Sequence, residues 1–387
     1  MTGDRMHVVW LCGPSGVGKS SVGWEMFGQL SRSGVTTGFL DLDQIGLLRD
    51  GSTHRVRARN LAAVWPNFRA AGARCLVLAG YVDTVDEVRE YTDRLPDAAL
   101  TLCRLRVGST ELRERFVARG WRPDLVDDAV AEAEALEHTD HAHMCVDTDG
   151  LVTSEVARLV REQVGAWLCA APMATPSGSL PVPQATPVSV SAPAAVLWFS
   201  GATAVGKSTV GYEVFSQAFR AGVSAAYVDL KQIDALRPAA DDPEGHRLAA
   251  QNLAALWTGY CEAGARYLIV SGDADRDHTV RGQAELLLGT TLTVCRLHAG
   301  PATLSERVAQ RGRGEGPTIP GDEIKGLAPE ALQCVVERAV REAESLERTG
   351  AGELRVDTDG RSVQEVAEQV RALIGRWSDL SSAPPVP

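Results

Sequence analysis

The stretch VVWLCGPSGVGKSSV, Val8 to Val22, returns as VLWFSGATAVGKSTV, Val196 to Val210. In each, an apolar run ends in a glycine, four variable residues follow, then Gly-Lys-Ser, and a segment of helical periodicity begins. The apolar run reads as a buried strand and the segment after it as a helix, with a glycine-rich turn between them. The match extends far beyond this loop. Lys19 corresponds to Lys207 at an offset of 188, and AGARCLVLAG (71–80) to AGARYLIVSG (263–272) at 192. His54-Arg55 and Asn60–Ala63 recur at that second offset, and VDTDG (146–150) recurs at 210. The chain is therefore a tandem repeat. Its second copy carries four extra residues before His246 and 18 more between Arg311 and Glu342.

Within a copy, HVVWLCG, TTGFLDLD, ARCLVLAG, ALTLCRL and HMCVDT are nearly continuous apolar runs, the pattern of parallel strands covered on both faces. Helical patterns such as SSVGWEMFGQLSRSG and VRARNLAAVWPNFRAAG lie between them. Strand–helix alternation predicts an α/β fold: two tandem domains, each a parallel sheet flanked by helices. No charged residue occurs between Gln163 and Val205, and this stretch is rich in Pro, Ser and Ala. The expected organisation is domain 1 over 1–169, a semi-extended linker over 170–193, domain 2 over 194–380 with a longer lid, and a frayed tail over 381–387.

The formal net charge is −11, and residues 1–169 hold 19 basic against 24 acidic side chains. Both halves are acidic, which disfavours nucleic acid and anionic lipid as partners. The eight cysteines form no C-x-x-C pair and mostly sit in apolar runs, as small buried residues of a reducing compartment do. No secretory leader pattern is present, and no apolar run reaches the ~18 residues of a membrane span. These features point to a cytoplasmic protein.

Both loops, Gly13–Ser20 and Gly201–Ser208, fit G-x-x-x-x-G-K-[ST] in the strand–turn–helix context that makes the motif meaningful. Gly13, Ser15, Gly16, Gly18, Ser20 and Ser21 would present backbone and hydroxyl groups to phosphate. Gly201, Thr203, Gly206, Ser208 and Thr209 would do so in the second copy. Lys19 and Lys207 would reach the β- and γ-phosphates of ATP, and Ser20 and Ser208 would ligate Mg²⁺.

FLDLDQI ends the second strand with Asp41 and Asp43, two residues apart and so expected on one side, facing the loop. One would support Mg²⁺ and the other accept a proton from a hydroxyl. The second copy reads YVDLKQI, keeping Asp229 and replacing Asp43 with Lys231. Asp83 and Asp275, after the shared glycine at 80 and 272, are candidates to face the cleft. His54-Arg55 and His246-Arg247 open the helix expected to flank a phosphate acceptor. Arg115 and Arg119, and Arg307 and Arg311, lie in L-x-x-R-x-x-x-R segments, which place them on one helix face. His138, His141 and His143 cluster, but the second copy has no counterpart, so they do not read as a zinc set.

The order of these motifs resembles small P-loop kinases of the shikimate and gluconate kinase type. The resemblance implies that Asp41 helps hold Mg²⁺, that Asp43 contacts the acceptor hydroxyl, and that Arg115 and Arg307 stack on adenine. It also implies that Arg119 or Arg122 reaches the phosphates and that the V-D-T turns, with Thr148 and Thr358, lie near the base. Gly80 stands where that family has a run of glycines bordering the acceptor. The expectation is an ATP- and Mg²⁺-dependent phosphotransferase acting on a small hydroxylated molecule, domain 1 catalytic and domain 2 a divergent nucleotide-binding copy, the two able to pair within one chain. A nucleotide-gated regulatory or assembly protein is the alternative, and an adenylylsulfate-kinase-like, nucleotide or polynucleotide 5′-kinase a further one.

Overall fold

A computed structural model of the chain describes residues 5–49, 54–95, 97–119, 123–165, 194–239, 246–272, 277–287, 289–315 and 321–377. The linker 170–193 and the tail 381–387 lie outside the described residues. Two compact units emerge, one within Met1–Ile45, Thr53–Gln184 and Asp234–Leu248, the other within Gly46–Ser52, Ala185–Ile233 and Ala249–Pro387. Both are α/β, with parallel sheets flanked by helices.

In the first half of the chain the strands are β1 (Met6–Cys12), β2 (Thr37–Asp41), β3 (Cys75–Ala79), β4 (Ala98–Arg106) and β5 (Met144–Asp147). The helices are α1 (Lys19–Arg32), α2 (His54–Ala70), α3 (Val85–Thr92), α4 (Ser109–Arg119), α5 (Val126–Glu137) and α6 (Thr153–Val164). The second half supplies β6 (Ala194–Ser200), α7 (Lys207–Arg220), β7 (Ala225–Asp229), a short β8 (Leu236–Arg237), α8 (His246–Glu262) and β9 (Tyr267–Ser271). It continues with α9 (Asp277–Ala284), β10 (Thr290–His298), α10 (Pro301–Gly312), α11 (Pro329–Thr349), β11 (Leu354–Asp357) and α12 (Val363–Ile374).

The first sheet runs β5-β4-β1-β3-β2-β8 and the second β11-β10-β6-β9-β7. All neighbours are parallel except β8, which runs antiparallel against the edge of β2. β1 and β6 occupy the middle of their sheets, so every residue of β6, and all of β1 but His7, is buried. That position explains their unbroken hydrophobic character. The order also sends each strand's C-terminal end to one edge, where the Gly-Lys-Ser loops emerge.

One shared glycine is fixed by close packing. A Cβ on Gly80 would stand 2.8 Å from Leu42 Cδ1 and 2.9 Å from Leu42 Cβ, and one on Gly272 would stand 2.7 Å from Leu230 Cδ1. The chain leaving the second strand thus lies directly over the end of the third. Gly80 N–H donates to Leu11 O at 3.1 Å, and its own carbonyl accepts from Trp10 Nε1 at 3.2 Å. Replacing Gly80 with Ala should therefore lower stability by roughly 1–3 kcal/mol through overpacking, read as a fall in the urea midpoint with an unchanged slope.

Candidate functional site

The loop between β1 and α1 holds its lysine against its own backbone. Lys19 Nζ donates to the carbonyls of Gly13 and Pro14, both at 2.9 Å. Lys207 Nζ repeats this with Gly201 at 2.8 Å and Ala202 at 3.0 Å. Gly18 and Gly206, with φ of 103° and 106°, sit in the left-handed region as the residue before each helix. Helices α1 and α7 therefore begin with N–H groups directed back at the loop. Burial lowers the pKa of Lys19, and the carboxylates of Asp43 and Asp41 work against that shift.

Asp41 is buried at the end of β2 and accepts a hydrogen bond from Ser20 Oγ at 2.5 Å. Its other oxygen accepts from the backbone N–H of Asp43 at 3.0 Å. Burial, followed by the charge of Asp43, pushes Asp41 up to about 6 from the ordinary value of 3.8. A hydroxyl and a carboxylate this close form a hard-oxygen pair of the kind that suits Mg²⁺. In the second copy Asp229 is likewise buried and accepts from Lys231 N at 3.1 Å.

Asp43 departs from the strand geometry expected of it. β2 ends at Asp41, so alternation along a strand does not govern Asp43. It lies in the following turn, half exposed, with Oδ1 3.1 Å from Arg57 Nη2 of α2. Arg57 escaped the sequence reading because nothing in HRVRARN distinguishes it from its neighbours. One turn earlier, His54 Nε2 lies 3.1 Å from Glu87 Oε1, and Nδ1 lies 3.3 Å from the Tyr91 hydroxyl. Asp83 accepts from the Tyr81 hydroxyl at 3.1 Å while its N–H donates to Glu87 Oε2 at 3.1 Å. Arg55 is exposed and only 4.0 Å from Glu90. Asp43, His54 and Asp83 thus share one hydrogen-bonded and ion-paired surface at the ends of β2 and β3.

The L-x-x-R arginines meet the V-D-T turns in both copies. Arg115 Nη1 donates to Val17 O at 3.1 Å and Thr148 Oγ1 at 3.0 Å, and Nη2 to Thr148 O at 2.8 Å. Arg307 makes the same three bonds to Val205 O at 2.7 Å, Thr358 Oγ1 at 2.9 Å and Thr358 O at 3.0 Å. Each guanidinium ties the loop, the fourth helix of its copy and the end of the fifth strand together. The side chain of Arg119 and the whole of Arg122 and Asp275 lie outside the described residues. Arg311 forms a bidentate pair with Asp322 Oδ1 and Oδ2 at 2.6 and 3.1 Å. Residues 316–320 of the glycine-rich insertion lie outside the described residues. His143 Nδ1 accepts from Leu102 N–H at 2.8 Å, a strand-edge role. No group of three or more potential metal-binding side chains is present among the described residues. None of the described helices is long and apolar enough to cross a membrane.

One difference between the loops is compensated. A Cβ on Gly16 would stand 2.7 Å from Phe116 Cδ2 and 3.1 Å from Leu112 Cδ1. In the second copy Ala204 takes that place at φ 64°, and Val308 replaces the phenylalanine. The volume lost on the helix admits the methyl gained on the loop.

No protein-family model and no curated protein matches this chain. Solved structures do. The Deinococcus radiodurans tunicamycin resistance protein is 19% identical, with 42% of this chain and 96% of that one covered and a TM-score of 0.31. The Acinetobacter baumannii shikimate kinase, solved with shikimate, is 20% identical over 42% of this chain and 94% of its own, TM-score 0.29. A Sinorhizobium meliloti gluconokinase is 16% identical over 46% and 90%, TM-score 0.31. Each match spans less than half of this chain, and the likeness is one of fold.

Two outcomes follow from this geometry. The folded state raises the pKa of Asp41, so the stability this group contributes is complete below 3.8 and lost as pH rises through about 6. In metal-free buffer Asp41→Asn should therefore gain in stability relative to the parent between pH 4 and pH 7.5, measured by urea unfolding at both. Gly16→Ala alone should destabilise the chain, and adding Phe116→Val should recover part of that loss. The check is a double-mutant cycle, with a coupling of about 0.5–3 kcal/mol expected for residues in contact.

Proposed function

We propose that the chain is an ATP-dependent phosphotransferase that moves the γ-phosphoryl group to a hydroxyl of a small molecule, with the first copy as the catalytic site. The reading rests on one observation above all. The Ser20–Asp41 pair, the Lys19 ammonium and the Asp43–Arg57 ion pair converge in the first copy. At the repeat-equivalent positions the second copy has Lys231 for Asp43 and Ala249 for Arg57. Glu87 and Tyr91 likewise become Thr279 and Gln283. The loop is kept while the acceptor side is rebuilt, the pattern expected of a nucleotide-binding copy that has left transfer chemistry.

In this reading the loop N–H groups and Lys19 hold the β- and γ-phosphates. Ser20 and Asp41 would hold Mg²⁺, which supplies charge neutralisation on the phosphate oxygens. Asp43 receives the proton of the acceptor hydroxyl as its oxygen bonds to the γ-phosphorus and the bond to the β,γ-bridging oxygen breaks. Arg57 orients Asp43. His54, Asp83 and Gly80 border the acceptor, and Arg119 is assigned to clamp the transferring phosphate. Arg115 and Thr148 bound the base, and Arg307 and Thr358 do so in the second copy, where Lys207, Ser208 and Asp229 bind nucleotide and magnesium. Lys231, with His246 and Arg247, would favour a more anionic ligand there.

The test is ATP turnover against a panel of hydroxylated metabolites. Lys19→Ala and Asp43→Asn should each cut kcat by roughly 10²-fold or more, general-base transfer alone accounting for about 10²–10⁴. Lys207→Ala should leave most turnover. Equal and complete loss from both lysine variants would contradict the division of labour. ATP binding without consumption in the presence of any acceptor would favour the nucleotide-gated regulatory reading instead.

A further inference from the structure

In the first copy the backbone N–H of Ser15 donates to Glu132 Oε2 of α5 at 3.0 Å. In the second the N–H of Thr203 donates to Glu342 Oε2 of α11 at 2.7 Å. Ser15 and Thr203 are the third residues of the two glycine-rich loops. Glu132 and Glu342 are also repeat partners, in AVAEAEALE (129–137) and AVREAESLE (339–347). A carboxylate from a distant helix thus takes the same loop amide twice. The helices differ around it, because the position one turn before the glutamate is Asp128 in one copy and Arg338 in the other. The contact is therefore a property of the loop and the acid rather than of one helix's packing.

An amide hydrogen makes one strong, in-line bond. It can serve a carboxylate oxygen or a phosphate oxygen at full strength, not both, and the two anions repel at that separation. We propose that Glu132 and Glu342 are internal competitors for phosphate. Each occupies a donor of its own anion cradle, so that nucleotide entry has to break the bond and release α5 or α11 from the loop. This inference rests on the nucleotide-binding reading above and adds a regulatory contact to the same sites. Nucleotide occupancy is then linked to the position of the helix that follows the L-x-x-R helix.

The two contacts are not equally held. Arg338 Nε lies 3.6 Å from Glu342 Oε1, so the second acid has a cation on one side and the loop amide on the other. The first acid has Asp128 at the equivalent place, a like charge. The first cradle therefore exchanges its carboxylate for phosphate more readily than the second. The order matches the assignment of turnover to the first copy proposed above.

The experiment is ATP binding by calorimetry in magnesium buffer, on the full chain carrying Lys207→Ala so that the first cradle is read alone. Glu132→Gln keeps the side chain's shape and removes the charge. Because bonds to charged groups contribute roughly 1.5–3 kcal/mol, ATP should bind about ten- to a hundredfold more tightly. Glu132→Ala, with its fold checked by circular dichroism, should shift affinity in the same direction, whereas loss of a merely supporting contact would weaken binding. Unchanged or weaker affinity in folded variants overturns the competition and leaves the nucleotide reading standing. Failure of the parent and both variants to bind ATP removes the nucleotide reading and the competition with it. In the reciprocal Lys19→Ala chain, Arg338→Gln should tighten ATP binding at the second cradle and Glu342→Gln should tighten it further. No change from either overturns the competition there.

Discussion

A lysine ammonium folded back onto its own loop needs acceptors, and this requirement shapes the same turn in both halves of the chain. Lys19 meets it with the carbonyls of Gly13 and Pro14, and Lys207 with those of Gly201 and Ala202. To present those carbonyls the loop must curl tightly, so Gly18 and Gly206 adopt left-handed φ just before the helix. The curled loop is then fastened from outside by Arg115 and Arg307, which reach from the fourth helix of each copy to the Val17 and Val205 carbonyls and on to the V-D-T turn. An arginine suits that task because its planar fork spans several acceptors at once. Its donors link strands β4–β5 or β10–β11 to the central strand's loop.

The copies diverge in packing at the loop and in charge beside it. Gly16 with Phe116 becomes Ala204 with Val308, so a smaller helix side chain accompanies the methyl added on the loop. Asp43 with Arg57 becomes Lys231 with Ala249, which replaces an acid and a base by a base and a small apolar residue at the equivalent positions. The first step preserves packing against the loop. The second reverses the sign of the side chain at the position of Asp43, and electrostatic complementarity is what sets which partners a surface excludes.

Much of this was legible in the sequence because the signals were local. Continuous apolar runs gave the five parallel strands of each copy, and the strand–turn–helix context gave the loops. Asp41 at the end of a buried strand had one direction to point. Asp43 did not, because β2 stops at Asp41 and the turn, rather than strand alternation, sets its orientation. Arg57 and Glu87 lie on helices whose charged residues all look alike in sequence. The short β8 has two residues, too few for any period, yet it pairs with Thr37 and Gly38 within the first unit. Phe39 N–H completes the edge by donating to Ala235 O at 2.9 Å. Glu132 and Glu342 carried a signal that only the repeat alignment reveals: A-V-x-E-A-E recurs once the 18-residue insertion is allowed for.

The choice of cation at the loops can be argued from the same distances. Of 39 basic residues only Lys19, Lys207, Lys231 and Lys325 are lysines, and two of the four sit in the cradles. There the nitrogen lies between two carbonyl oxygens at 2.8 to 3.0 Å. A compact ammonium can donate to both and keep a third proton for another acceptor. A guanidinium holds its donors in a plane at fixed separation, so it would have to displace one carbonyl to engage the other. A chain that otherwise prefers arginine therefore keeps lysine where the space is set by its own backbone.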